Sequence, residues 1–140
     1  MVARIVLEHD GHEVREADNG IDAVRCAIEL APDVILLDIV LPELDGISAA
    51  HRIRAHPTAG DTRIVAMTAL DRDGISERVL IAGCNAFLLK PFSISTLRDV
   101  VREQLALAHA AAPFSVLRDF ATYARASIRY RTTKGQLQHP

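Results

Sequence analysis

Three short, unbroken apolar runs each end in a polar residue: Val34-Ile35-Leu36-Leu37 before Asp38, Ile64-Val65-Ala66-Met67 before Thr68, and Ala86-Phe87-Leu88-Leu89 before Lys90. Runs this short and continuous suit strands buried on both faces, which is the condition of strands in a parallel sheet. Glu13 to Ala17 is more polar and reads as an edge strand. Between the runs, apolar residues recur at helical spacing: Ile21, Val24, Ala27 and Ile28, then Ile47, Ala50 and Ile53, then Ile75, Val79 and Ala82, stopped by Gly83 as a left-handed cap. Ser93 is placed to cap a further helix with Ile94, Leu97, Val101 and Leu105 on its inner face. The alternation predicts an α/β fold, a doubly wound parallel sheet in which each strand leads into a crossover helix.

In such a sheet the carboxyl ends of the strands form the binding edge. Asp38, Thr68 and Lys90 each follow the apolar run of a different strand, so all three side chains are expected to meet there. A carboxylate, a hydroxyl and an ammonium gathered at one edge suit the acceptance and holding of a phosphoryl group. Other chemistries find less support. Cys26 and Cys84 lack partners at disulfide or zinc spacing, and Gly11 breaks the helix between His9 and His12, so they do not form a metal pair. No apolar run approaches the roughly 18 residues of a membrane span, and no signal peptide is legible, which leads to the expectation of a cytoplasmic protein. The 49% hydrophobic content supports one globular domain. Its charge is uneven: the body, residues 1–110, is acidic, and the remainder, 111–140, is basic.

The segments Pro32 through Gly46, Met67-Thr68-Ala69 and Gly83 through Phe92 resemble the receiver domains of response regulators. The Gly11-His12-Glu13-Val14 turn and the Ala17-Asp18-Asn19-Gly20 helix entry extend the resemblance over roughly His12 to Leu107. It implies a flavodoxin-like fold and a phosphorelay role. Asp38 attacks a phosphohistidine on a sensor histidine kinase or phosphotransfer protein and becomes an acyl phosphate. No enzymatic turnover is implied beyond this autocatalysed acceptance. A Mg²⁺ ion is implied beside Asp38, with the Val40 carbonyl as a further ligand. Thr68 and Lys90 hold phosphoryl oxygens, the peptide before Pro91 is cis, and Phe87 is an aromatic switch residue, though its first expectation is as core. A phosphorylation-independent pseudo-receiver and the receiver part of a hybrid histidine kinase are the alternatives. A flavin protein of similar fold needs a phosphate-binding loop that is not found.

The resemblance fails at both ends. The family's first strand, which carries an acidic pair for the metal, is not found. Ala3 to Val14 reads as the end of a first helix with Ile5, Val6 and His9 on one side, a Gly turn and then a strand, so the chain looks incomplete at its N-terminus. A second register makes Arg4 to Leu7 the first strand and Glu8 and Asp10 a displaced acidic pair, but a parallel neighbour cannot be reached across Gly11 alone. Ala111 to Pro140 reads as a basic amphipathic helical tail or linker: Pro113 starts it, Phe114, Leu117, Ala121, Ala124 and Ile128 share one side, and Arg118, Arg125 and Arg129 lie on another. Nucleic acid and membrane partners are not expected. An unfilled central sheet favours a homodimer or strand exchange.

Overall fold

A computed structural model describes residues 2–41, 43–69, 74–111, 120–124 and 128–129. In chain order the elements are α1 (Val2–His9), β1 (Glu13–Ala17), α2 (Gly20–Leu30), β2 (Val34–Asp38), α3 (Gly46–Ala55), β3 (Arg63–Thr68), α4 (Ile75–Ile81), β4 (Ala86–Leu89), α5 (Ile94–Ala111), β5 (Phe120–Ala124) and β6 (Ile128–Arg129). The sheet order is β1-β5-β2-β3-β4, with every neighbouring pair on that path parallel.

Both faces of the sheet are covered, which is why β2 contains no polar residue before Asp38. Ile35 and Leu37 join a core with Ala23 and Ala27 of α2, Ala49, Ala50 and Ile53 of α3, and Val79 of α4. Val34 and Leu36, one residue out of phase, join a second core with Val6 and Leu7 of α1 and Leu97, Val101 and Leu105 of α5. The helices start where their caps allow. Asn19 Oδ1 accepts from Asp22 N at 2.8 Å, Asp45 Oδ1 from Ser48 N at 2.9 Å, and Ser93 Oγ from Thr96 N at 3.0 Å. Gly83 lies at φ 98°, the left-handed conformation expected at that helix end.

The hydrogen bond from Ser48 N holds the Asp45 carboxyl below the usual carboxylate range. A depressed folded-state pKa contributes stability above the unfolded pKa and loses it as pH falls through the lower, folded one. Asp45→Ala is therefore expected to cost about 1 kcal/mol at neutral pH. In paired denaturant titrations the gap between the two proteins should narrow as the pH falls through the acid range in which the depressed carboxyl protonates; a gap independent of pH would rule the charged cap out.

Some helix faces differ from the sequence expectation. Ile5, Ile21 and Ile94 are 64%, 47% and 46% exposed. In α1 the covered stripe is Ala3, Val6 and Leu7, spaced i, i+3, i+4, which leaves Ile5 on the far side. In α2 the buried positions are Gly20, Ala23 and Ala27, small residues that let the helix approach its neighbours closely. The N-terminus follows the helix-turn-strand register. Arg4 to Leu7 lies inside α1, so the alternative of a first strand there is wrong. Glu8 accepts from Arg4 Nε at 2.9 Å, and Asp10 takes a two-pronged ion pair from Arg98 of α5 at 2.7 and 2.9 Å. The two acids brace helices and do not form an acidic pair at the sheet edge.

The largest correction concerns the tail. Phe120–Ala124 and Ile128–Arg129 are strands, not parts of a helix; the rest of the expected helical tail lies outside the described residues. β5 enters between β1 and β2, where the 2-1-3-4-5 order of a flavodoxin-like sheet has its first strand. The physical reason is the gap itself. Two parallel strands with unpaired backbone groups offer more hydrogen bonds to an extended segment than a solvated helix gains from a weak apolar stripe. β6 runs back antiparallel, with Arg129 opposite Ala121 and Ile128 opposite Thr122. Ala121 and Thr122 thus have pairings to three strands, one more than the two edges of a strand fully serve.

Candidate phosphoacceptor site

The three strand-end residues come together as the sheet rule requires. Asp38 is the last residue of β2 and pairs in register with Met67, so Thr68 stands one step further along β3. Ile39 N donates to Met67 O at 3.0 Å and Lys90 N donates to Thr68 O at 2.7 Å. These bonds continue the two ladders past the strand ends and hold the site residues on one edge.

The side chains complete the arrangement. Lys90 Nζ donates to Asp38 Oδ2 in a direct ion pair, and Val40 N donates to Asp38 Oδ1 at 2.9 Å. Both carboxylate oxygens are thus engaged, one by a charge and one by a backbone dipole, while the Asp38 side chain keeps 15% of its exposure. Thr68 is buried at 9%. The Lys90–Pro91 peptide is cis, as expected. Phe87 lies partly exposed on β4 in a shallow groove with Leu89, Pro91 and Phe92, which corrects its reading as a core residue. It sits near the surface because the residue that turns into the core from β4 is Leu88, at 3% exposure.

Two glycines shape the loop above this edge, and their role was not legible before the fold was known. A Cβ at Gly46 would lie 2.1 Å from Asp38 O, and one at Gly20 would lie 1.8 Å from Leu44 O. Backbone meets backbone at both points, so no other residue fits without displacing the segment that follows Asp38. The Asp18-Asn19-Gly20 and Asp45-Gly46 motifs were visible in the sequence, but only the packing explains their glycines.

The residues present do not fit a magnesium site of the implied kind. Among the described residues no group of three His, Cys, Asp or Glu side chains converges. The Asp38 carboxylate is taken by Lys90, Glu8 and Asp10 serve α1 and α5, and β5, in the position of the family's first strand, has the acid-free sequence Phe-Ala-Thr-Tyr-Ala. Val40 is an exposed loop residue whose acidic neighbour is Asp38, joined to it by the Val40 N hydrogen bond, and among the described residues no second and third acid complete a cluster there. Among the described residues no helix is long and apolar enough to cross a membrane.

Comparison with known proteins agrees with this geometry. The family model described as the response regulator receiver domain matches residues 1–102. A polar-differentiation response regulator, DivK of Brucella anthropi, is 31% identical over 73% of this chain and 83% of its own length. The chemotaxis protein CheY of Listeria monocytogenes is 30% identical over 74% of this chain and 85% of its own. Among solved structures, the receiver domain of a sensor histidine kinase from Pseudomonas aeruginosa superposes with a TM-score of 0.69 at 38% identity, covering 74% of this chain and 84% of that one; it is described with a magnesium ion in its active-site cleft. The sheet order, the Asp38–Lys90 pair with Thr68 beside it and these matches lead to one assignment: the chain belongs to the response regulator receiver domain family.

Proposed function

We propose that this receiver domain takes a phosphoryl group on Asp38 from the phosphohistidine of a sensor histidine kinase or phosphotransfer protein. The observation that carries the reading is the ion pair between Asp38 and Lys90, with Thr68 on the adjoining strand end. An Asp38 oxygen attacks phosphorus, the P–N bond breaks, and the imidazole leaves with the bonding pair and takes up a proton. The product is an aspartyl phosphate. Lys90 moves from the carboxylate to a phosphoryl oxygen, so a charge already at the site offsets the one that arrives. The Thr68 hydroxyl donates to a second oxygen. Phe87, at the surface of β4, follows that hydroxyl inward and changes the surface presented by β4 and α5. Each chain accepts one group per cycle and turns over no substrate of its own.

A second reading, a phosphorylation-independent pseudo-receiver, is favoured by one observation: the two acids offered as a displaced acidic pair, Glu8 and Asp10, are committed to Arg4 and Arg98. One experiment separates the two. The full chain is incubated with phosphoramidate, whose P–N bond mimics phosphohistidine, with and without added Mg²⁺, and its intact mass is read. Gain of one phosphoryl group, lost in Asp38→Asn, supports the first reading. An unchanged mass under both conditions removes it in favour of the second.

A further inference from the structure

Ile21, Val24 and Ile28 stand at i, i+3 and i+7 of α2 and form one apolar strip. The strip is the floor of a groove of about 280 Å³ against α3; Arg52 of α3 forms the far rim, and Arg25 and Glu29 of α2 form the near one. The protein itself covers none of the three apolar side chains fully, and Ile21 keeps 47% of its exposure. The space is smaller than the roughly 300–1,000 Å³ of small-molecule sites, and it suits a few side chains from a facing surface.

The rim charges indicate which surface that is. Arg25 is already held by an ion pair to Asp22, one turn away on the same helix. Glu29 and Arg52 are exposed, carry opposite charges on different helices and have no ion pair among the described residues. A partner surface of one sign would attract one of them and repel the other. A two-fold copy of the same surface satisfies both, since Glu29 of each chain then faces Arg52 of the other. We infer that the α2–α3 groove is a contact between two copies of this chain, with the Ile21, Val24 and Ile28 strips packed across the two-fold axis and a Glu29–Arg52 ion pair on either side of it. Both helices enter from the segment that leaves Asp38: Gly20 lies against Leu44 O, where an added Cβ would stand at 1.8 Å, and Gly46 N donates to Ile39 O at 3.0 Å. The contact thus borders the phosphoacceptor loop, and it shares no residue with the groove beside Phe87.

Sedimentation velocity on the full chain, with no phosphodonor present, tests this contact. A contact of such limited extent belongs to the weak class, so dimers are expected to form between about 10 and about 500 μM. Arg52→Glu sets like charges against each other on both sides of the axis, as does Glu29→Arg, and each variant alone should dimerise about tenfold more weakly or worse. Mixed in equal amounts, the two variants should regain the parent's association, because both ion pairs are restored between unlike chains. Ile21→Asp should abolish association, whereas Ile81→Asp, on α4 at 76% exposure, should leave it unchanged. All four positions are exposed, so the fold tolerates the exchanges. A parent chain that stays monomeric over the whole range, a mixture no tighter than either variant alone, or equal association in Ile21→Asp and Ile81→Asp would each overturn the assignment.

Discussion

Gly46→Ala is expected to lower stability by about 3 kcal/mol and the melting midpoint by roughly 10 °C. Its added methyl would stand 2.1 Å from Asp38 O, 2.9 Å from Asp38 C and 2.8 Å from Ile39 Cα. A clash with a flexible side chain is relieved by rotation, whereas here the neighbours are main-chain atoms in a ladder. Ile39 N donates to Met67 O and Ile39 O accepts from Gly46 N, each at 3.0 Å, so neither side yields without breaking a hydrogen bond. The displaced residue is Asp38 itself, and phosphoryl acceptance should fall along with stability. Gly60→Ala is the control: its nearest contact is 3.2 Å, to His56 O, so a smaller shift is expected. Circular-dichroism melts of the two variants decide the matter, and equal midpoints would mean that the α3 entry gives way more easily than the packing indicates.

Arg54→Met should cost a similar amount, about 3 kcal/mol, at the opposite edge of the sheet. The Arg54 guanidinium is half-buried at the end of α3, where burial holds its pKa below the ordinary arginine value. It donates from Nε to Gly83 O at 2.7 Å, from Nη1 to Gly60 O at 2.9 Å and to Thr62 O, and from Nη2 to Asn85 Oδ1 at 2.6 Å. Asn85 Oδ1 in turn accepts from Ile64 N at 2.8 Å, so one side chain ties α3 to the loops that lead into β3 and β4. Methionine keeps the stem and removes the donors, leaving carbonyl oxygens unsatisfied. Arg54→Lys, a single ammonium in place of a planar fork, should recover only part of the loss. Urea titrations that put Arg54→Met within about 0.5 kcal/mol of the parent would class these contacts with ordinary surface pairs.

The two residues differ in how far the sequence announced them. Gly46 stood in a segment already recognisable as part of a receiver domain, yet its reason, the close approach to Asp38 O, exists only once α3 is packed against the end of β2. Arg54 carries no such local signal. Its acceptors are 6, 8, 29 and 31 residues away, and no local pattern encodes a hub assembled from loops that distant in the chain. Phe87, Ile5 and Ile21 were legible as apolar but not as surface residues, because helical or strand spacing marks a face and only the neighbours decide whether that face is covered.

The sequence by itself determined the succession of strands and helices in the body and the position of its chemistry. An apolar run closed by a polar residue is a local pattern, and the parallel-sheet rule then brings Asp38, Thr68 and Lys90 to one edge whatever else the chain does. Tertiary structure alone decided the fate of the C-terminal segment. The stripe of Phe114, Leu117, Ala121, Ala124 and Ile128 is consistent with a helix, while Phe120, Thr122 and Tyr123 lean towards extended backbone, and the local pattern does not decide between the two. The deciding partners of Phe120–Ala124 are Glu13–Ala17 and Val34–Leu37, more than eighty residues earlier in the chain. Their unpaired edges create a demand for backbone hydrogen bonds that outweighs a weak local preference, and such a demand appears only when the sheet has formed.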